Sequence, residues 1–300
     1  MDGKMSDKME AMAALMKEST PVRFEGMLLP PFPGFSPDPE PKFEMRANME
    51  CRDSDIFLCS FPKAGTNWAH EVLTMTVSQS TQYTKAMNPT QMLEMNTTME
   101  NVKSLPSPRI FMTHLPYKYL PNQLKNGTGK IVYIQRNPKD LFVSFFNFQK
   151  GKHHIMSATT WNEYFDSSVI GNQGVLMGGW YNFTLEYEKH LTDNNFLPIY
   201  YEEMKQDLTG NIIKMAEFLD VSCTKEFAKE IADKCSFDNM KKNRVDPTAL
   251  LNDKGITTSL YRKGQVGDWK NWFTVSQNER FNENYQKLMK DSKIQFTYVL

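Results

Sequence analysis

The sequence predicts an α/β fold, with a single domain built on a central, mostly parallel sheet that helices flank. Short apolar runs alternate with helical patterns along the chain, which indicates a parallel sheet. Each of four predicted strands is followed by a polar side chain just past its end, as in sheets that bind ligands at their carboxyl edge. With 300 residues, of which 40% are hydrophobic, one domain of this class can bury a substantial core.

The N-terminal part of the chain is expected to lie outside the regular sheet. Residues 1–20 carry mixed charges and predict a tail, and residues 21–300 are expected to form the domain. Six prolines crowd the segment from Pro30 to Pro41, a density that argues against regular helix or a central strand. Phe32 and Phe35 are expected to anchor this segment, either as a plain surface wrap or beside the mouth of a substrate pocket.

The first predicted strand and helix enclose a turn with the features of an anion site. An apolar run from Ile56 ends at Pro62, which cannot donate to a ladder. Gly65 allows a tight turn, and Thr66 or Asn67 is expected to cap the next helix. The unpaired N–H groups and the dipole of that helix favour phosphate.

Two interpretations of this turn stay open from its residues alone. The standard P-loop order places glycine before a Gly-Lys-Ser/Thr group. Here the first glycine is missing and Lys63 precedes the Gly-Thr pair. A P-loop-like nucleotide site and an ordinary strand-to-helix turn with a solvated lysine are both compatible with the pattern.

The remaining elements follow in order. Three more strands are predicted at 109–113, 129–135 and 196–200, and Pro198 indicates an edge or a bulge for the last. Asn137 and Pro138 predict the start of a helix that runs to Gln149. A capping box from Ser276 to Glu279 is expected to open the last helix. A short helix plus loop is expected within 88–107, helices at 161–165, 178–191, 206–219 and 225–235, and mainly loop at 246–272.

Polar side chains follow the four strands where each one ends. They are Lys63, His114, Arg136 and Tyr201. Each has a structural alternative: a solvated lysine, a surface histidine, an ion pair of Arg136 with Asp140, and a core tyrosine. Because ligands of open parallel sheets bind outside the carboxyl ends of the strands, we expect the four to line one cleft.

Composition and charge exclude several classes of function. The formal net charge is zero, so no overall field favours nucleic acid or an anionic membrane as partner. The four cysteines have neither metal-type nor redox spacing and are interpreted as reduced thiols. Neither a secretory signal nor an apolar transmembrane segment is visible, so the cytoplasm is the expected compartment.

Four ordered segments resemble the cytosolic sulfotransferases. They read FPKAGTNW from Phe61, MTHLP from Met112, YIQRNPKDLFVSFFNF from Tyr133 and YRKGQVGDWKNWFT from Tyr261. The resemblance implies transfer of a sulfuryl group from 3′-phosphoadenosine 5′-phosphosulfate (PAPS) to a hydroxyl or amine of a small acceptor. Aromatic pocket residues suit a phenol, a steroid, another alcohol or an amine, and the sequence does not rank these.

The resemblance also implies a role for individual residues. His114 would be the general base, and Lys63 would stabilise the leaving phosphate without a metal. Phe61, His114 and Phe148 would bind the acceptor, whereas Phe145, Phe146 and Tyr164 fit either the pocket or the core. The donor-binding set would be Lys63, Ala64, Gly65, Thr66 and Asn67 at the 5′-phosphosulfate; Arg136, Ser144, Arg262, Lys263 and Gly264 at the 3′-phosphate; Trp68, Phe237 and Tyr201 at the adenine; and Cys235, Ser236 and Met240 beside them.

Several positions depart from the family pattern. Met112 stands where many members have lysine, which removes one contact to the sulfuryl group. Cys235 replaces the usual threonine, and Leu260 and Tyr261 replace the usual Phe-Met pair. The segment from Lys270 to Glu279 fits the family's dimer motif K-x-x-x-T-V-x-x-x-E, so a homodimer is expected.

Two other classes of function remain as alternatives. A nucleotide kinase or P-loop NTPase shares the strand–turn–helix anion site, but it needs a Gly-Lys-Ser/Thr order and a strand-end aspartate for Mg²⁺. A non-catalytic relative that binds nucleotide or a small ligand is the other. Lys63, His114, Arg136 and Ser144 are all present, which argues against a loss of catalysis.

Overall fold

The central sheet has four parallel strands, which confirms the predicted fold class. The computed structural model describes residues 20–84, 88–149, 160–171, 176–244 and 261–300. Strands β3 (Ile56–Ser60), β4 (Ile110–Thr113), β5 (Lys130–Gln135) and β6 (Phe196–Tyr200) lie in the order β4-β3-β5-β6. The edge position of β6 agrees with Pro198. A separate antiparallel hairpin joins β1 (Val22–Phe24) to β2 (Met27–Leu29).

Helices pack on both faces of the sheet because successive strand side chains point to opposite faces. One apolar cluster contains Phe57, Phe111 and Tyr133, and the other contains Leu58, Met112 and Val132. The α-helices are α1 (Glu40–Ala47), α2 (Thr66–Ser78), α3 (Glu100–Lys103), α4 (Asn122–Lys125), α5 (Pro138–Gln149), α6 (Trp161–Tyr164), α7 (Trp180–Glu188), α8 (Tyr201–Gln206), α9 (Leu208–Phe218), α10 (Lys225–Lys234), α11 (Phe237–Asn243) and α12 (Val275–Leu288). Short 3₁₀ turns lie at Pro89–Gln91, Leu93–Met95, Tyr117–Tyr119 and Asp268–Asn271, and a π-helical turn at Phe165–Ile170.

Two predicted helix starts are wrong by one or two residues. The N-cap of α2 is Gly65, with φ of +116°, rather than Thr66 or Asn67. The Thr66 hydroxyl is 2.7 Å from the Ser60 hydroxyl and therefore serves the preceding strand. Helix α12 opens with a capping box between Thr274 and Gln277. The predicted box, from Ser276 to Glu279, was therefore two residues too late.

The proline-rich segment also differs from its prediction at one end. Helix α1 begins directly after Pro39 and contains Pro41 in its first turn, where the missing N–H would have no helical partner in any case. Phe35 is fully buried and Phe32 is partly buried, so both anchor the segment. The short helices α8 and α11 were not predicted.

Some predictions fall on parts of the chain outside the described residues. These are the tail up to residue 19 and the loop predicted at 246–260. The boundary between tail and domain therefore stays a prediction. Within the described ranges, no helix combines the length and apolar character that a membrane span requires.

Candidate active site

The structure brings the four strand-end side chains together at one edge of the sheet. Arg136 Nη1 donates to the Lys63 carbonyl oxygen at 3.3 Å. The Arg136 guanidinium carbon lies 4.3 Å from the centre of the Tyr201 ring. His114 is on the neighbouring strand, with Nδ1 2.8 Å from the Ser60 carbonyl oxygen. These groups form one cleft because all four strands run parallel and end at the same edge.

The His114 ring is held in one orientation and is neutral at physiological pH. The Ser60 carbonyl can only accept, so we assign the proton to Nδ1, which leaves the lone pair on Nε2. Desolvation and, to a smaller extent, the positive charge of Lys63 lower the pKa of His114 to about 4, although the hydrogen bond to the Ser60 carbonyl oxygen acts to raise it. The arrangement therefore presents a free imidazole nitrogen beside an ammonium group.

The turn after β3 is compact and carries Lys63 above an aromatic ring. Lys63 has φ of +72°, and Ala64 is buried with its N–H bonded to the Phe61 carbonyl oxygen at 3.2 Å. The Lys63 ammonium is 4.2 Å from the centre of the Phe148 ring, within the range of a cation–π contact. A residue expected at the donor and one expected at the acceptor are thus in direct contact.

Residue 65 must be glycine because its backbone lies close to the side chains of Tyr201 and Ile134. A Cβ on Gly65 would lie 2.8 Å from Tyr201 Cδ2 and 3.1 Å from Ile134 Cδ1. The φ of +116° also disfavours any residue with a side chain. Asn67, two residues after Gly65, is half-buried in the first turn of α2.

Arg136 is a buried cation with spare hydrogen-bonding capacity. It is 8% exposed, and its Nε has no hydrogen-bond partner among the described residues. Its second contact, from Nη2 to the Gln265 carbonyl oxygen, is long at 3.5 Å. A buried donor without a partner is costly, so this guanidinium is well suited to an anionic ligand. Ser144 is half-buried on α5, which starts beside Arg136.

The loop that carries Arg262, Lys263 and Gly264 is tied to one buried carboxylate. Both cations lie 2.6 Å from Asp268. Burial acts to raise the pKa of Asp268, but hydrogen bonds from Lys263, Asn271 and Arg262 outweigh it and lower the pKa to about 2. Gly264, with φ of +63°, contacts the Phe237 ring so closely that a Cβ would lie 2.1 Å from Phe237 Cδ2.

The residues expected around the adenine are only partly in the cleft. Trp68 donates from Nε1 to the Cys235 carbonyl oxygen at 2.8 Å. The Cys235 thiol is fully buried, 3.7 Å from the Met75 sulfur, and Met240 is buried in the same cluster. Ser236 and Phe237 are half-buried at the start of α11. Cys235 and Met240 therefore face the core with their side chains, and only the Cys235 backbone meets Trp68.

Most of the aromatic residues considered for the acceptor pocket are buried. Phe61 is 6% exposed and packs edge-on against Phe183, with ring centres 5.4 Å apart. Phe146 packs against Trp161 and Trp272. Tyr164 and Phe145 are buried as well. Phe61, Phe145, Phe146 and Tyr164 all belong to one buried apolar cluster.

Sequence reasoning missed two carboxylates that support the cleft. Glu94 is fully buried and accepts from the His114 backbone N–H. Burial raises the pKa of Glu94 to about 7. Asp140 accepts from the backbone N–H groups of Gly267 and Trp269 at 2.7 and 2.9 Å. No local pattern could have identified either, because their partners are distant in sequence. Asp140 had been weighed only as a partner of Arg136.

The described part of the chain shows no cluster for a metal. No group of three or more His, Cys, Asp or Glu residues there could hold an ion. Met112, at the position where the resembling family often has lysine, is 2% exposed and packs in the core.

Fold and site together define an α/β protein with a P-loop-like anion turn beside a buried imidazole. A sequence model described as "Sulfotransferase domain" matches residues 53–293. The chain therefore belongs to the sulfotransferase family, which confirms the predicted class of enzyme.

Known sulfotransferases align with this chain over most of their length. Rabbit (Oryctolagus cuniculus) amine sulfotransferase is 33% identical and aligns over 84% of this chain and 86% of the relative. Human sulfotransferase 4A1 is 32% identical over 94% and 95% of the two chains. The crystal structure of mouse sulfotransferase SULT7A1 complexed with PAP has a TM-score of 0.75 and 31% identity, and covers 91% of this chain and 96% of the mouse chain.

Proposed function

We propose that this enzyme transfers the sulfuryl group of PAPS to a hydroxyl or amine of a small aromatic or lipophilic acceptor. The acceptor lone pair forms a bond to sulfur while the bond between sulfur and the bridging oxygen breaks. The electron pair of the broken bond stays on the phosphate of the product 3′-phosphoadenosine 5′-phosphate (PAP). The acceptor proton passes to His114 Nε2.

The observation that carries this proposal is the placement of the His114 imidazole beside Lys63. Ser60 holds Nδ1 through its carbonyl oxygen at 2.8 Å, which aims the basic Nε2 away from the backbone. Because the pKa of His114 is about 4 in the ligand-free protein, the ring is unprotonated at neutral pH and its Nε2 lone pair is available for the acceptor proton. Lys63 supplies the charge that stabilises the bridging oxygen as it becomes an anion.

The cations of the cleft support PAPS as the donor. Its 3′-phosphate requires a second anion subsite, and Arg136, Arg262 and Lys263 provide three positive charges for it. The unpartnered Nε of Arg136 supports this assignment, because arginine binds phosphate through paired hydrogen bonds. The mouse relative that was crystallised carries PAP, the compound that PAPS becomes after it loses its sulfuryl group.

The acceptor site is proposed to lie between Phe61 and Phe148. The Lys63 ammonium rests on the Phe148 ring at 4.2 Å, so an acceptor against this ring would meet the donor sulfur directly. Aromatic walls favour a flat or lipophilic acceptor. The relatives include an amine sulfotransferase, and both nitrogen and oxygen nucleophiles fit the same proton transfer to His114.

We also propose a cytoplasmic homodimer formed through the segment from Lys270 to Glu279. Val275 in this segment is 77% exposed, more than any other large hydrophobic residue among those described. Pairing of this segment with its copy in a second chain would remove the Val275 side chain from water. Sedimentation at low micromolar concentration tests this, and a monomer at all concentrations would contradict it.

Labelled PAPS and a panel of phenols, alcohols and amines test the activity. We expect label to appear in at least one acceptor class, and His114→Ala to abolish transfer while PAP still binds. His190→Ala is the matched control, since His190 stacks on Tyr117 and pairs with Asp193 outside the cleft. Unchanged turnover in His114→Ala refutes the base assignment. Activity that requires ATP and Mg²⁺ instead of PAPS refutes the donor.

A further inference from the structure

A buried carboxylate on α2 joins this helix to two other segments of the chain, at Thr84 and at Arg244. Glu71 is fully buried in the helix whose N-terminus forms the anion turn. Glu71 Oε2 accepts from Arg244 Nε at 2.6 Å. Its two oxygens also accept from the backbone N–H and the hydroxyl of Thr84, at 2.8 and 2.6 Å. The carboxylate is therefore fully satisfied inside the protein.

Arg244 links Glu71 to the loop that carries Arg262 and Lys263, the cations proposed to bind the 3′-phosphate. It lies at the C-terminal end of α11, is 7% exposed, and donates from Nη1 to the Tyr261 hydroxyl at 3.0 Å. Tyr261 immediately precedes Arg262, and its ring centre is 6.4 Å from that of Phe237. One chain of hydrogen bonds thus runs from the anion helix to the start of the 261–264 segment.

The second end of this segment is held independently. Arg262 and Lys263 both pair with Asp268. Tyr261 is thus bonded to Arg244 on one side and the two cations to Asp268 on the other, so side-chain contacts hold the segment without a ligand. Ordering a loop in advance strengthens binding because the ligand no longer bears the entropy cost.

The hydrogen bonds between Glu71, Arg244 and Tyr261 depend on charged and hydroxyl groups that apolar side chains could not replace. A buried charge that loses its partner is strongly unfavourable, so Glu71 and Arg244 fix each other's position. The terminal hydroxyl comes from Tyr261, one of the residues at which this chain departs from the family motif. A thioether there would be only a weak acceptor for an arginine N–H.

We propose that Glu71, Arg244 and Tyr261 are positioning residues that hold the 261–264 segment over the 3′-phosphate subsite. Their effect is therefore specific for ligands that carry a 3′-phosphate. This inference rests on the proposed function, since it requires Arg262 and Lys263 to bind that phosphate.

The test compares PAP with AMP, which lacks the 3′-phosphate, by isothermal titration calorimetry on the full chain. We expect Tyr261→Phe, which removes only the hydroxyl, to weaken PAP binding about fivefold and to leave AMP binding unchanged. In steady-state assays the KM for PAPS rises while kcat stays constant. Tyr119→Phe is the matched control, because its hydroxyl binds Glu25 on the exposed hairpin.

Further variants separate the possible outcomes. Glu71→Gln keeps one of the two acceptor oxygens but loses the charge, and we expect the same selective loss of PAP binding. Equal weakening of PAP and AMP, or no weakening of either, overturns the inference. Arg262→Ala reports on the proposed function itself: if it leaves the ratio of PAP to AMP affinity unchanged, the subsite is wrongly assigned. If that ratio collapses in Arg262→Ala but not in Tyr261→Phe, the positioning role alone fails.

Discussion

Replacement of Gly65 by alanine tests whether the anion turn and the Arg136 side of the cleft depend on one close contact. The new Cβ would lie 2.8 Å from Tyr201 Cδ2 and 3.1 Å from Ile134 Cδ1. Both distances are shorter than ordinary van der Waals contact, so the Tyr201 ring must shift. Because the Arg136 guanidinium lies 4.3 Å from that ring, it must move as well.

Two terms contribute to the expected loss of stability. The backbone at φ of +116° costs about 1–2 kcal/mol for a residue with a Cβ. Overpacking against Tyr201 and Ile134 adds about 1–3 kcal/mol. Gly65→Ala should therefore lower the free energy of unfolding by about 2–5 kcal/mol. PAP affinity should fall by at least about tenfold, since displacement of Arg136 weakens a charged hydrogen bond.

Gly127→Ala provides the matched control. Gly127 has a similar φ of +102°, but a Cβ there meets nothing within 4 Å. The Gly127→Ala variant should lose only about 1–2 kcal/mol of its free energy of unfolding, from backbone strain, and should keep full PAP affinity. Urea unfolding measures the first quantity and isothermal titration calorimetry the second. Equal stability losses in the two variants, together with unchanged PAP binding in Gly65→Ala, would show that the contact with Tyr201 has no role.

Three further predictions concern buried or charged side chains. His114 should titrate with a pKa near 4 in NMR spectra of the ligand-free protein. A value near 6.5 would show that burial does not lower the pKa of this ring. His70 is buried, neither of its ring nitrogens has a hydrogen-bond partner within the described ranges, and burial, together with the charge of Arg244, lowers its pKa to about 4. The unfolded chain therefore takes up a proton at this site at a higher pH than the folded protein does. The free energy of unfolding is greatest above pH 6.5 and falls by up to about 3 kcal/mol as the pH drops towards 4. His70→Leu should then lose less stability between pH 7 and pH 4.5 than the wild type, and identical urea midpoints at every pH would contradict this. Phe148→Leu should abolish an upfield ring-current shift of the Lys63 side chain in lysine-labelled NMR spectra, and an unchanged shift would exclude the contact seen at 4.2 Å.

Short-range patterns predicted most of the elements that build the cleft. The four central strands begin and end within one or two residues of their predicted bounds. Asn137 caps α5 through a hydrogen bond from the Asp140 N–H at 2.9 Å. The helix starts at Thr66 and Val275 were misplaced because several neighbouring residues suited a cap. Which of them serves depends on contacts such as that between Thr66 and Ser60.

The sequence predicted the strand-end residues of the candidate site but not the carboxylates that support them. Lys63, His114 and Arg136 stand directly after strands, so their place at the sheet edge follows from the order of elements. Glu94 and Asp140 act through partners that only folding brings near. The side chains of Cys235 and Met240 also turned into the core, since their direction depends on how α10 and α11 pack.

The amino-acid order alone determined the class of fold, the edge at which the strands end and the family to which the chain belongs. These depend on alternation, turn residues and motifs, all of which are local along the chain. The tertiary structure alone decided which ring nitrogen of His114 is free, that Lys63 rests on Phe148, and that Glu71 reaches Tyr261 through Arg244. These are distances between residues far apart in sequence, and they exist only once the helices have packed against the sheet.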